Sequence, residues 1–177
     1  LKQFSLTGQF LSSNRTLRLE DLDLAINTAH ATGILDLALP LNSPPRLTGT
    51  LAFDAFDLSA LLAATSPNGS HPSSLLQSAT ALELDLRISG KEMTLGPFLM
   101  TEVALGIINE RGQSRVDIVD GLLEGGRVTS QIVSADKKSD FPGSTRIHLR
   151  NANLQSVFAK LGVNGVLPQG SGSLELI

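Results

Sequence analysis

Period-two alternation of aliphatic and polar residues is the dominant pattern of the chain. It is cleanest at Leu82-Glu-Leu-Asp-Leu-Arg-Ile88, where every second residue is aliphatic and the rest are charged. The same pattern occupies Leu35–Leu39, the set Leu47, Gly49, Leu51 and Phe53, and Arg146–Arg150. Leu17–Ile26 alternates as well, but its phase slips at Glu20-Asp21, which predicts a β-bulge or bend. Each such strand has one wet face and one dry face, the chemistry of antiparallel sheets. About nine strands are expected on this basis.

Turn residues separate these runs. Asn42-Ser-Pro-Pro45 ends a strand, because proline has no N–H to give to a ladder. Glu110–Gln113 reads as a hairpin loop, Gly125-Gly126 as a bulge or tight corner, and Ala135–Gly143 as a solvated loop. Thr65–Ser74 (residues 65–74) reads as a mobile linker.

Two segments read as short helices. Asp57 caps one that carries Leu58, Leu61 and Leu62 on one face. Asn153 caps the other, with Leu154, Val157, Phe158 and Leu161 as its apolar stripe and Gly162 as its stop. A third, weaker turn lies at Ser73–Ser78. Thr50–Leu62 and Arg146–Phe158 share the order strand, cap, helix, an internal echo of a strand–helix unit.

Composition narrows the function classes. Of 177 residues, 41% are hydrophobic, enough for a core, and only 18% are charged. Seven Phe, no Trp and no Tyr leave a mainly aliphatic apolar surface. Net charge is −3, and the longest basic run is Lys137-Lys138. Without a basic stripe or stacking aromatics, nucleic acid is not an expected partner. The absence of cysteine rules out disulfides and thiolate chemistry, and agrees with an oxidising compartment. No apolar stretch reaches the roughly 18–20 residues of a membrane-spanning helix.

Candidate chemistry is sparse. His30, His71 and His148 lack ligand spacing, so no metal or cofactor is expected. Ser134-Ala-Asp-Lys137 fits Ser-x-x-Lys but precedes a charged loop rather than opening a helix. Asp54 with Asp57, and Asp117 with Asp120, read as caps, turns or polar faces rather than acid–base pairs. No catalytic constellation results, and the expectation is a protein that is not an enzyme.

The strands therefore carry an aliphatic face with roughly 20 helical residues to cover it. A second sheet can close that face, or the sheet can remain an open groove suited to acyl chains or a partner. Composition alone favours the β-sandwich.

Several segments resemble AsmA-like proteins. Leu47–Leu62 (LTGTLAFDAFDLSALL) resembles that family's G-x-L-x-F-D-x-L-D-L-x-x-L-L stretch. Leu82–Ile88 followed by Met93–Phe98 is similar to its L-x-L-R-I-S … L-G-P segment. Gly121–Val128 resembles its glycine-rich hairpin, and Leu149–Leu154 with Gly170–Leu174 resembles its close. Ser130 departs from the pattern, standing near where a second glycine is usual. The resemblance covers residues 33–177.

The resemblance implies a mainly β fold: a curved antiparallel sheet forming an open, taco-like groove, with two or three short helices and the β-sandwich as the alternative. Residues 1–177 would form a single β-rich segment of a longer periplasmic protein anchored in a bacterial inner membrane. A start at Leu1 without methionine and a stop at Ile177 in mid-pattern fit that expectation. The implied function is lipid transfer between inner and outer membrane, supporting outer-membrane homeostasis. The implied partner is a phospholipid or other acyl lipid. The lipid-facing residues would be Leu47, Leu51, Phe53, Leu82, Leu84, Leu86, Ile88, Ile147 and Leu149. A structural module docking another envelope protein is the alternative function.

Overall fold

A computed structural model describes residues 4–26, 28–60, 82–110, 113–133, 143–163, 165 and 169–177. The chain is mainly β. Its strands are β1 (Phe4–Ser13), β2 (Thr16–Ile26), β3 (Ala29–Ala38), β4 (Arg46–Asp57), β5 (Glu83–Leu95), β6 (Phe98–Glu110), β7 (Gln113–Leu123), β8 (Gly126–Val133), β9 (Ser144–Asn153) and β10 (Ser171–Leu176). All ten join one sheet in sequence order, with β1 and β10 as its unclosed edges. A sandwich requires two sheets, so that alternative gives way to a single one.

The sheet is mixed rather than wholly antiparallel as expected. β4 and β5 pair in parallel, Arg46 opposite Glu83 and Asp57 opposite Thr94. A parallel pair needs a crossover of a dozen or more residues, and residues 58 to 82 supply it. The stretch 65–74 and the weak turn at 73–78 fall within 61–81, outside the described residues, as do Leu61 and Leu62. The solvated loop also lies outside them, apart from Gly143.

Three two-residue hairpins follow from local backbone chemistry. Asn14 and Arg15 join β1 to β2 with φ of 40° and 68°, and Glu124 and Gly125 join β7 to β8 with 49° and 78°. Positive φ at both central positions matches the right-handed twist of the flanking strands. The tight corner is thus centred one residue before the Gly-Gly pair. Gly96-Pro97 joins β5 to β6, with Gly96 at φ 58° and proline in the second central position.

Both expected caps form. Asp57 Oδ1 accepts from the Ala60 amide at 3.0 Å, and residues 58–60 are helical. Asn153 Oδ1 accepts from the Ser156 amide at 3.1 Å and opens α1 (Leu154–Lys160). Gly162, at φ 76°, donates to the Ala159 carbonyl, and Val163 donates to that of Phe158, satisfying carbonyls at the helix end. Val157 is buried, Leu154 and Phe158 are half-buried, and Leu161 is exposed. The strand–helix echo is local. β5 runs parallel to β4, whereas β10 returns antiparallel to β9.

These helices lie at the same end of the sheet, with the Gly96-Pro97 and Glu124-Gly125 turns. We call this the helix end. The opposite, loop end holds the Asn14-Arg15 turn, the 39–45 connection and the start of β5, where Leu39 donates to the Arg15 carbonyl and Glu83 to that of Pro45, each at 2.8 Å. At the helix end, Gly126 passes hard against β9. A Cβ there would sit 2.4 Å from the Arg150 carbonyl oxygen and 2.5 Å from the Ala152 nitrogen. These are backbone atoms with no rotamer to change. Gly126→Val is expected to cost about 3 kcal/mol through overpacking, read as a lower urea midpoint at unchanged m-value.

Candidate functional site

The register gathers the aliphatic positions on one face. Leu51, Ile88, Leu105, Ile118, Ser130, Ile147 and Leu176 form one row of direct cross-strand partners from β4 to β10. A neighbouring row runs Leu19, Leu35, Gly49, Leu86, Ile107, Val116 and Ile132 from β2 to β8. Nearer the helix end, Leu24, Ala31, Phe53, Gly90 and Val103 pair in turn. Directly opposed side chains share a sheet face, so these rows make one continuous apolar surface.

Keeping that surface on one side requires repeated corrections of phase. Buried residues stand three apart, rather than two, at Leu19–Leu22, Phe53–Phe56, Gly90–Met93, Met100–Val103, Ile118–Gly121 and Leu149–Ala152. Asp21, Glu102 and Asn151 take positive φ inside three of these gaps. Register shifts accompany the gaps in β2, β6, β7 and β9. Each such shift bends its strand and raises the local twist.

Along β3, β4, β5, β8 and β9 burial deepens toward the helix end, whereas β6 and β7 are buried as far as Asn109 and Ser114 at their loop ends. Phe53, Phe56, Leu58, Met93, Met100, Val103, Leu149, Ala152 and Val157 are buried there, and Phe53 meets Phe56 ring to ring at 4.9 Å. At the loop end Leu37, Leu47, Leu82, Leu84 and Ile132 are half-buried, and Leu39 is 47% exposed. Of the nine expected lipid-facing residues, Leu51, Phe53, Ile88 and Leu149 belong to the buried core. Leu86 and Ile147 pack against that core while partly open. Leu47, Leu82 and Leu84 stand outside it, and Leu47 and Leu84 are direct partners. The nine therefore share a face but divide into a covered group and an accessible one.

Sequence reasoning missed the contribution of β6 to β8, including Val103, Leu105, Ile107, Val116, Ile118 and Val128. It also missed a buried polar pair on the dry face. Asn109 donates to the Leu82 carbonyl at 2.8 Å and accepts from the Ser114 hydroxyl at 3.1 Å, tying β6 and β7 to the entry of β5. Asn109 occupies the next inward position after Ile107, and Ser114 the one before Val116. That phase is the signal that could have placed them.

The other face is ionic. Arg18 pairs with Asp36 at 3.1 Å, Arg87 with Asp85 at 2.8 Å and Arg115 with Asp117 at 2.8 Å. His30 lies 2.8 Å from Asp23, and His148 3.8 Å from Glu175; His71 and the Ser134–Lys137 motif fall outside the described residues. Asp120 accepts from the Gly121 amide and pairs with Arg127. An open depression of about 820 Å³ spans β3 to β6 where β4, β5 and β6 change phase, with His30, Asp54, Lys91, Glu92 and Glu102 on its wall. Asp54 and Lys91 meet across the parallel pair at 2.7 Å. The Lys91 hydrogen bond and charge hold the Asp54 carboxyl below its ordinary value, and Asp54 likewise raises the Lys91 ammonium. Among the described residues no group of three or more His, Cys, Asp or Glu could hold a metal, and no helix is long and apolar enough to cross a membrane.

Two outcomes check this geometry. Ile88→Ala, in the covered group, is expected to cost about 3 kcal/mol, and Leu84→Ala, in the accessible group, about 1 kcal/mol; urea denaturation measures both. Lys91→Gln is expected to raise the Asp54 titration toward the ordinary 3.8, as followed by carboxyl carbon NMR. The sign follows from the depressed folded-state value. The stability due to Asp54 is present above its unfolded pKa and lost as pH falls through the folded one. It is small and weakened by salt, because both groups are fully solvated.

Compared with family models, with curated proteins and with solved structures, the chain matches none, so the register and burial of its own residues define the candidate site.

Proposed function

We propose that this chain is a periplasmic lipid-binding and lipid-transfer segment whose dry face shields phospholipid acyl chains between inner and outer membrane. One observation carries the reading. An aliphatic face runs across a ten-stranded sheet whose edges do not pair with each other, and the described residues place two short helical pieces beside it. The repeated phase corrections favour a curved sheet, and a curved sheet with unpaired edges is a groove.

The burial gradient gives the groove a direction. The helix end is the stoppered end, where Phe53, Phe56, Met93, Met100 and Val157 are covered. Acyl chains would enter from the loop end and lie against Leu47, Leu82, Leu84, Leu86 and Ile147. An aliphatic lining suits them, since it offers about 25 cal/mol per Å² of apolar surface whatever the head group. No catalytic residue is needed. AsmA-like proteins, which the sequence resembles, fit the same picture.

The test is lipid extraction and native mass spectrometry of the purified protein. Phospholipid is expected to co-purify. It should be lost from Leu47→Asp/Leu84→Asp, whose positions lie outside the buried core, while the thermal midpoint and far-UV circular dichroism are retained. A stable wild-type protein that carries no lipid and takes none from vesicles would overturn the reading.

A further inference from the structure

We propose that the loop joining β3 to β4, residues 39–45, is a membrane-docking tip that inserts Leu39 and Leu41 into an anionic lipid bilayer and seats the loop end of the groove on it. Leu35, Leu37, Leu39 and Leu41 carry the period-two phase of the dry face past the end of β3. Leu35 packs against the core, Leu37 is half-buried, Leu39 is 47% exposed and Leu41 is 76% exposed. A single exposed leucine is ordinary on a protein surface. Here exposure rises step by step out of the groove, and the last two leucines lie outside the core.

The loop is held at both ends. Leu39 donates to the Arg15 carbonyl in the β1–β2 turn, and Glu83 at the start of β5 donates to the Pro45 carbonyl. Pro40, Pro44 and Pro45 fix three φ angles and restrict the residues that precede them. A stiff loop presents its leucines at little entropic cost.

Charge and position identify the surface. Residues 37–45 carry no charge, and the two charged residues that adjoin the loop are Arg15 and Arg46, both exposed. Asp36 is occupied by Arg18, and Glu83, opposite Arg46, is half-buried. An apolar tip rimmed by arginines matches the layering of a bilayer, with hydrocarbon below anionic head groups. Leu37, Leu47 and Leu84 are direct partners in turn, so the loop stands beside the proposed acyl entry. The inference rests on that reading for the lipid nature of the surface.

The chain has no tryptophan, so Leu41→Trp supplies a single reporter. On vesicles of equimolar phosphatidylglycerol and phosphatidylethanolamine its emission should shift to the blue and be quenched by acyl-chain bromine. Leu39→Asp/Leu41→Asp should lower partitioning of the chain onto these vesicles by about tenfold or more, with the thermal midpoint retained. Arg15→Glu should lower it several-fold, and added salt should reduce that difference. The Leu39→Asp/Leu41→Asp variant should still co-purify with phospholipid, whereas Leu47→Asp/Leu84→Asp should lose the lipid and still dock, which tells failure of docking from failure of the groove. Emission unchanged by vesicles overturns the proposal, as does partitioning unaffected by the two aspartates. So does a blue shift that needs no vesicle and grows with protein concentration, because a second copy would then cover the loop.

Discussion

A β-strand presents alternate residues to opposite faces, and a residue on the wrong face of this sheet would put an aliphatic group in water or a charge among leucines. The strands are long, thirteen residues in β5 and β6, and long strands twist. One-residue corrections of phase reconcile length with facing. After Glu102, Val103, Leu105 and Ile107 face inward like Met100 before it, and Asn151 does the same between Leu149 and Ala152. Without these corrections the second half of each strand would turn inside out. The single apolar surface depends on them more than on any individual contact.

The same kinks shape the ionic face. Where β4, β5 and β6 change phase together, the outer surface dips, and Asp54, Lys91 and Glu102 stand around the depression. Exposed ion pairs contribute little to stability. Their positions matter in another way: charges opposite charges discourage a slip of one residue, which would carry them onto the dry face. Arg18 against Asp36 is such a pair on neighbouring strands, in register as direct partners.

Much of the fold was legible where a residue type has a single local use. Asp57 and Asn153 read as caps because a short oxygen-bearing side chain before an apolar run can satisfy free helix amides, and both do. Glu20-Asp21 read as a bulge because two successive polar residues break alternation, and the register shifts there. Thr101-Glu102 and Arg150-Asn151 carry the same signal. Neither pair interrupts a run of clean alternation, so the sequence pattern alone does not single it out. β1 was hidden by Gly8, which replaces an aliphatic residue in the middle of its row. The parallel pairing of β4 and β5 was not legible at all. Both strands alternate like antiparallel ones, and direction depends on a connection whose length, not its pattern, permits a crossover. For the candidate site, alternation placed all nine residues on one face. It could not rank their burial, since Leu84 and Ile88 sit on the same face of one strand, each between polar residues, and only distance from the helix end separates them.

That ranking changes what the aliphatic face can do. A face buried evenly along its length would be a core and nothing more. A face open along its length would expose more apolar surface than a soluble domain usually tolerates. The gradient lies between these limits. The Phe53–Phe56 contact and the methionines close one end, and that closed end supplies stability through buried area. The loop end, with Leu47 and Leu84 half-buried, is then free of that duty. At the loop ends of β6 and β7, beside Leu84, Asn109 and Ser114 use buried hydrogen bonds to hold the entry of β5 in place. Side-chain bonds of this kind fix geometry more than they add stability. The proposed acyl site therefore lies in the part of the dry face that the fold does not need for its own core.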